Sequence, residues 1–448
     1  MFKRIFLKNF KSFREIDFDL RGKAGNGQKY VSIYGENGSG KSNLAESVGL
    51  LTISLRTLTP IPPFDNIPSG SASQGNQKDS EFIEYLDGIF RKANEEYARI
   101  HPITEYVSRI RTIGSEGEVV LSFVFEVNGK DAEYEITFGP DNRLIRESLR
   151  YVLEKRCVNY YRISLEEGKI AYELNGSVFG KPLIADISKM IEKLWGNHSM
   201  LAILFEQYRL NNPSYMESNV GIGLVNVLRY LWNLKAYVSD TYAENFGDIT
   251  NGRMPASERG NLDRMERALD SFFTRIYSDV RRVHYILKED EDHIDYRLCF
   301  DRIIGGKVCE IDWFSESRGT QKLIQMFPYL LGAVHGQVSF VDEMDINIHD
   351  LLMKELIESI VPDVKGQLIV TTHNTLLLEN ADPRSVYILQ VDAEGGRSIQ
   401  PMSSIERTQK NHNNRKRYLD GVMGGVPYMG EIYMSEIERE YFGGRNAS

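Results

Sequence analysis

Cysteine is scarce in this chain, and its scarcity removes two classes of protein at once. Only Cys157, Cys299 and Cys309 occur in 448 residues. They lie far apart or inside strand-like runs, so they form neither a disulfide framework nor a zinc site and read as core residues. Long apolar runs are missing too. None approaches the roughly 18 residues that a membrane span needs, and no signal-peptide pattern opens the sequence. A basic excess is also lacking: the net charge of −9 argues against wholesale coating of nucleic acid and leaves only a local basic groove open. With 42% hydrophobic and 26% charged residues, the composition is that of a reduced, soluble, cytoplasmic protein with room for two or three lobes.

Against that background, Gly35-Glu36-Asn37-Gly38-Ser39-Gly40-Lys41-Ser42 fits the pattern G-x-x-x-x-G-K-[ST] at every fixed position. Gly35, Gly38 and Gly40 let backbone N–H groups crowd round phosphate oxygens. Lys41 supplies a point charge to the outer phosphates, and Ser42 offers a hydroxyl to magnesium. Asn37 and Asn43 complete the nucleotide-binding set. The context agrees: Tyr30-Val31-Ser32-Ile33-Tyr34 reads as a buried strand, and Asn43 onward as a helix whose N-terminus faces the anion. The pattern predicts ATP and Mg²⁺ as ligands.

Periodicity organises the rest. Residues 3–10 and 14–20 read as a hairpin, and 60–80, rich in Pro, Gly and Ser, as a loop. Residues 118–127, 131–138, 144–153, 159–164 and 169–174 alternate apolar and polar side chains, which predicts an antiparallel sheet. From about 184 to 286 the pattern is helical. Leu262, Met265, Leu269, Phe272, Ile276, Val280 and Val283 form an apolar seam of coiled-coil type. Arg264, Arg267, Arg275 and Arg282 fall on another face, either solvated and paired with Glu266, Asp270 and Asp279 or touching a phosphate or partner. A hairpin over 295–304 and 308–314 turns at Gly305-Gly306. These boundaries divide the chain into an N-terminal half-head with a β lobe (1–180), a helical, coiled-coil-like insertion (181–290), a C-terminal half-head (291–395) and a basic, glycine-containing tail (396–448).

Two further strands carry chemistry. Val338-Ser339-Phe340-Val341-Asp342-Glu343 ends in two carboxylates, the first placed to hold magnesium and the second to polarise a water for in-line attack. Gln367-Leu368-Ile369-Val370-Thr371-Thr372-His373 ends in a histidine at the carboxyl end of a buried strand, where ligands of open α/β sheets bind. A neutral imidazole there donates a hydrogen bond to the outer phosphate. In Ser315-Glu316-Ser317-Arg318-Gly319-Thr320-Gln321-Lys322, Ser317 and Gly319 precede an apolar run and read as a phosphate-facing loop that opens a helix.

The order of P-loop, Ser-x-Gly loop, Asp-Glu strand and Thr-Thr-His strand resembles the ATP-binding-cassette heads of the SMC and RecF class, over roughly 1–53 and 295–391. Phe6-Leu7-Lys8-Asn9-Phe10-Lys11-Ser12-Phe13 matches the same class. The resemblance implies an α/β fold: an ABC-type P-loop head with a mixed, largely parallel core sheet, an antiparallel β lobe and an inserted helical arm. It implies that Lys11 reaches the nucleotide, and that Ser317 and Gly319 cover the ATP of a second copy, so that hydrolysis needs at least a dimer. Asp345 then lies at the seam. The loop is Ser-Arg-Gly-Thr-Gln and not Ser-Gly-Gly, and Gln74, Gln77 and Gln207 stay open as the magnesium-linked glutamine.

Glu316-Ser317-Arg318-Gly319-Thr320-Gln321, Asp342-Glu343-Met344-Asp345-Ile346-Asn347-Ile348-His349 and the tail from Arg415 to Pro427 are similar to bacterial anti-phage defence ATPases of the overcoming-lysogenisation-defect-related group. The AriA-type subunits of PARIS systems and the RloA-like and abortive-infection ATPases are the branches most alike. That resemblance implies a separately encoded effector, a TOPRIM-like nuclease, held or released when a phage protein or nucleic acid is sensed. A RecF- or SMC-like DNA-repair ATPase and an ATP-binding scaffold with little turnover are the rival readings. In the tail, Arg407, Lys410, Arg415, Lys416 and Arg417 with His412 and Tyr418 read either as a phosphate-binding cluster or as a solvated linker. Gly421, Gly424 and Gly425 permit positive φ or close approach, as in a packed turn at a subunit boundary.

Overall fold

The computed structural model describes residues 1–58, 102–238, 247–405, 413–427 and 430–442. Strands β1 (Phe2–Phe10) and β2 (Phe13–Asp19) form a hairpin, and β3 (Tyr30–Gly35) runs into the P-loop and helix α1 (Lys41–Arg56). Helix α2 (Ile103–Ile110) leads to a meander of β4 (Val119–Val127), β5 (Lys130–Phe138), β6 (Leu144–Leu153), β7 (Arg156–Glu166) and β8 (Lys169–Leu174). Four helices follow: α3 (Lys181–Leu194), α4 (Met200–Leu210), α5 (Pro213–Asn219) and α6 (Ile222–Trp232). Then come β9 (Lys235–Tyr237), β10 (Asn251–Pro255), α7 (Arg259–Ile276), β11 (Val280–Glu289), β12 (His293–Ile304) and β13 (Lys307–Asp312). Helix α8 (Arg318–His335), β14 (Val338–Val341), α9 (Asp350–Ile360), β15 (Gln367–Thr371), β16 (Val386–Val391) and β17 (Arg397–Pro401) complete the head, and α10 (Asn414–Leu419) and α11 (Met434–Phe442) lie beyond it.

Three sheets result. The hairpin and the meander join in one antiparallel sheet, β2-β1-β4-β5-β6-β7-β8. Its strands alternate as the sequence does: in β4 every second side chain, from Val119 to Val127, is buried. The core sheet runs β17-β16-β3-β15-β14-β9, parallel except for β17. The third sheet packs against α7: β12 pairs with β11 on one edge and with β10 and then β13 on the other. The fold is thus α/β, an ABC-type P-loop head with a mixed core sheet, an antiparallel lobe and inserted helices.

The region after residue 181 is less uniformly helical than its pattern predicts. Helices α3 to α6 are short, and β9 leaves them to pair with β14 in the core sheet. The apolar seam does not run as one helix to Val283. Helix α7 stops at Ile276, and Val280 and Val283 sit in β11, paired with Arg302 and Phe300 of β12. Tyr277, Ser278 and Asp279 break the helix, and the long β12 offers a paired edge to a β-branched segment, which outweighs a periodicity that helix and strand share over a few residues. Arg282 accordingly leaves the helical Arg row and pairs with Glu266 across the helix–sheet contact. The cysteines need correcting too. Only Cys299 is buried, and burial pushes its thiol up to about 11, whereas Cys157 is exposed and Cys309 half-buried on β13. All three are free thiols. Among the described residues no helix is long and apolar enough to cross a membrane.

Two buried polar side chains lock the layers. Glu147 on β6 accepts from Tyr134 Oη, Tyr161 Oη, Trp195 Nε1 and the backbone N–H of Met200, which opens α4. Burial still raises its pKa above the usual carboxylate value. Gln367, at the start of β15, is fully buried; its Oε1 accepts from Phe2 N at 2.7 Å, and its Nε2 donates to Phe2 O and Gln28 O. It therefore joins the core sheet to the antiparallel sheet through main-chain groups. Replacing Gln367 by Leu strands these partners without hydrogen bonds, and urea unfolding of Gln367→Leu is expected to show a loss of roughly 2–4 kcal/mol.

Candidate functional site

Parallel pairing brings the sequence motifs to one end of the core sheet. Val341 lies beside Val370, and Thr371 beside Ile33, so β14, β15 and β3 end together. Asp342 follows β14, His373 follows β15, and the P-loop follows β3. The carboxyl ends of adjacent parallel strands form the crevice in which open α/β sheets bind ligands.

The P-loop is built to receive an anion. Gly40 caps α1 with φ 113°, the helix has no side-chain N-cap, and its first turn holds no acid. Its leading N–H groups therefore have no carboxylate or hydroxyl cap. Ser39 is fully buried and its Oγ has no hydrogen-bond partner. Lys41 is buried, and among the described residues its Nζ donates only to loop carbonyls, Gly35 O at 2.8 Å and Glu36 O at 3.0 Å. Burial lowers its pKa, while Asp342, Glu343, Asp345 and Glu36 act in the opposite direction. Uncapped amides, an orphaned hydroxyl and a buried ammonium fit a polyphosphate.

Thr371 organises the acids. Its Oγ1 donates to Asp342 Oδ1 at 2.6 Å and accepts from Glu343 N at 2.7 Å, and its carbonyl accepts from Met344 N. Ser42 lies close enough to favour the charged form of Asp342, whose carboxyl is nevertheless held above the usual range, chiefly by burial. A buried carboxylate supported mainly by hydroxyls is short of positive charge, and with Ser42 beside it the donor set suits a hard divalent cation. Glu343 has φ 46°, a left-handed conformation that a side chain adopts at a cost of about 1–3 kcal/mol. The two bonds to Thr371 hold it there.

His373 lies within electrostatic reach of Lys41, and its backbone N–H donates to Asp345 at 3.0 Å. The residue as a whole is exposed. Partial burial, and secondarily the Lys41 ammonium, hold its pKa below the usual imidazole value. Lys41, Ser42, Asp342, Glu343, Asp345 and His373 are thus one cluster.

The remaining sequence candidates fall elsewhere. Ser317 caps α8, accepting from Thr320 N at 3.1 Å, and none of its hydrogen bonds among the described residues reaches the P-loop. Gly319 must be glycine, because a Cβ there would lie 2.6 Å from the carbonyl oxygen of Asn347, itself at φ 63°. The Ser317 loop thus packs on the segment that follows Glu343. Arg302 on β12 fixes it from the third sheet: its guanidinium bonds both oxygens of Glu316 and Asp279 Oδ2, and lies 4.9 Å from the Tyr277 ring. Lys11 pairs with Glu46 of α1, while Ser12, next to it, accepts from Asn43 Nδ2 at 2.6 Å. Lys11 therefore sits one helical turn beyond Ser42, with its charge already matched. Of the glutamines, Gln74 and Gln77 lie outside the described residues. Gln207 is buried and committed to Met190 and Asn211.

Sequence reasoning missed two supports of the P-loop. Arg397, opening β17, donates to Ser39 O at 2.9 Å and Ser12 O at 3.0 Å and bridges the loop to the β1–β2 turn. No local pattern marks it. The tail is the second. Gly421, Gly424 and Gly425 all have positive φ, and a Cβ on Gly425 would meet Ile388 at 2.7 Å and Gly35 Cα at 3.4 Å. Met423 is fully buried with Tyr34, Ile388, Leu378 and Tyr418. Tyr418 donates to Gly425 O, and burial, with a smaller effect of Glu36, raises its phenol to about 12. Arg415 bonds Glu379 and Thr375, just past His373. The packed glycine turn thus lies against this chain's own P-loop strand; Arg407, Lys410 and His412 lie outside the described residues.

The family described as "AAA domain, putative AbiEii toxin, Type IV TA system" matches residues 31–379. The chain belongs to that family. No curated relative matches it. Solved structures similar to the chain include the SmcHead bound to the C-winged helix domain of ScpA (16% identity, 89% of this chain and 96% of that chain, TM-score 0.44). Others are the SMC head domain from Thermotoga maritima (16%, 89% and 98%, 0.37) and the Smc head domain with an extended coiled coil bound to the C-terminal domain of ScpA derived from Pyrococcus furiosus (14%, 89% and 95%, 0.40). Likeness at this level carries no functional argument.

The electrostatics of the cluster can be read directly. In nucleotide-free protein the His373 ring is expected to titrate below about 6.5, so it is neutral at pH 7. Lys41→Ala removes a cationic neighbour that disfavours the imidazolium, so the His373 pKa should rise. An NMR titration of ¹³C-labelled histidines measures both, and an unchanged or lower value in Lys41→Ala contradicts the assignment.

Proposed function

We propose that the chain is an ATP-hydrolysing switch whose sites are completed by a second copy of itself. The observation that supports it most is the meeting of Lys41, Ser42, Asp342, Glu343 and His373 at the ends of three neighbouring parallel strands. In this reading the loop amides from Gly35 to Gly40, with Asn37 and Asn43, and Lys41 hold the triphosphate. Ser42 and Asp342 hold Mg²⁺, which when bound neutralises charge that builds on the phosphate oxygens. Glu343 accepts a proton from the attacking water, and neutral His373 donates to the terminal phosphate. The products are ADP and phosphate. Lys11 joins only by giving up Glu46.

Ser317 and Gly319 act on the neighbour's nucleotide. The first turn of α8 carries no acid, so its N-terminus suits an anion brought from outside the chain. The Arg302–Glu316 pair and the Asn347 contact then tie the loop to the third sheet and to the strand end bearing Glu343. The finer role we infer is that of a defence ATPase that holds or releases a separately encoded, TOPRIM-like nuclease after sensing a phage protein or nucleic acid. The toxin–antitoxin wording of the family and the likeness to anti-phage ATPases support it. The tail supports it mechanically, since Gly425 touches the P-loop strand and Arg415 the segment after His373.

Two measurements test this function. Glu343→Gln should bind ATP as wild type does yet turn over about 10²–10⁴-fold more slowly; equal turnover removes Glu343 as the base. Lys41→Ala and Ser317→Arg should each be inactive, while their mixture regains part of the wild-type rate, because one pocket of a mixed pair is intact. No recovery, with wild type active as a monomer, overturns the shared site.

A further inference from the structure

The last described helix, α11, is left outside the described fold. Every residue from Gly430 to Tyr441 is exposed. Helix α11 nevertheless continues an apolar stripe that starts at Tyr433, the residue before it: Tyr433, Ile437 and Tyr441 recur at a spacing of four, beside Met434, and are 55%, 48%, 81% and 69% exposed respectively. Glu436 and Glu440 flank the stripe on one side and Glu438 on the other, against the single basic Arg439. An exposed amphipathic helix with an uncovered apolar stripe marks an interaction element.

The same chain also carries an open groove. Of about 660 Å³, it opens between the segment that enters β3, the end of α9 and the residues preceding β16. Its apolar lining comes from Tyr30, Ile357, Val361, Pro362, Leu377 and Ala381. Lys23 and Lys29 stand exposed on its rim. Lys23, Lys29 and Arg384 outnumber the groove's two acids, Asp382, which pairs with Arg384, and Glu358, which accepts from the neutral amide of Asn380 and keeps its charge. The rim is therefore basic where the helix is acidic, and the lining is apolar where the helix is apolar, which is the helix-in-groove mode of recognition. Among the described residues no element covers α11.

We propose that α11 of one copy docks into this groove of a second copy, making a contact between subunits that needs no nucleotide. Ile437 and Tyr433 lie on the apolar lining, and Glu436 and Glu440 face Lys23 and Lys29. The groove is formed in part by residues 377–385, the connection between the His373 segment and β16, so the docked helix lies behind the strand ends that carry the nucleotide site.

The test uses full-length protein without nucleotide and carries Lys41→Ala throughout, so that an ATP-dependent sandwich cannot contribute. Sedimentation over a concentration series should give a multiple of the single-chain mass. Ile437→Asp, a change at an exposed site that leaves the core untouched, should reduce it to one chain. Glu436→Lys/Glu440→Lys and Lys23→Glu/Lys29→Glu should each dissociate, and a 1:1 mixture should reassociate, because each reversed surface then meets an opposite charge. A single-chain mass for the parent protein, an Ile437→Asp protein that sediments like the parent, or a mixture that stays dissociated overturns the proposal. A helix that seats in the groove of its own chain gives the first of these results.

Discussion

The register of three parallel strands is the constraint on which everything else rests. Because β14 lies beside β15 and β15 beside β3, the residue after Val341 and the residues after Thr371 emerge at the level of the P-loop. A slip of one residue would turn Asp342 and Thr371 to the opposite face of the sheet and separate the acids from Lys41. Burial on both faces fixes that register: β15 is buried along its whole length and β14 likewise. A sheet with no solvent face cannot slide without exposing apolar side chains.

On that frame a single hydroxyl does much of the local ordering. Thr371 Oγ1 donates to Asp342 and accepts from Glu343 N, so the orientation of one acid and the backbone of the other are set together. The positive φ of Glu343 follows from this bridge, and the strain is held by groups that belong to β15. Farther along, Asn347 meets Gly319 with no room for a methyl group, and Arg302 clamps Glu316. A displacement at the acids therefore has a short, packed route to the Ser317 loop and the third sheet. Breaking a buried pair such as Arg302–Glu316 by removing one partner leaves an uncompensated charge and costs several kcal/mol, so the pair holds the loop firmly to the third sheet.

The site was legible in sequence wherever phosphate chemistry imposes residue types at fixed local spacing. The P-loop, the Asp-Glu strand end and the Thr-Thr-His strand end each declare themselves within eight residues, and period-two alternation disclosed the antiparallel sheet. What stayed hidden depends on contacts distant along the chain. Arg397 reaches Ser39 from 358 positions away, and nothing in its neighbours marks it. Val280 and Val283 continue a helical period, yet the edge of β12 decides their fate. Cys157 sits in a strand-like run but faces water, because alternation gives the period and not which face is covered. Lys11 shows a different limit: the motif places it beside α1, while its pairing with Glu46 depends on a helix turn that no motif describes.

The glycine-rich tail shows why the two kinds of information must be joined. Three glycines in five residues read equally well as a flexible linker or a tight turn. Position decides between them, since Gly425 lies against Gly35 Cα and its φ of 68° is closed to side chains by both strain and space. Met423 and Tyr418 then fill the core around Tyr34, the residue immediately before the P-loop. The tail is thus a layer of the nucleotide site and not an appendage to it. Any motion of the P-loop strand must be accommodated by that close contact, on which α10 also packs through Tyr418.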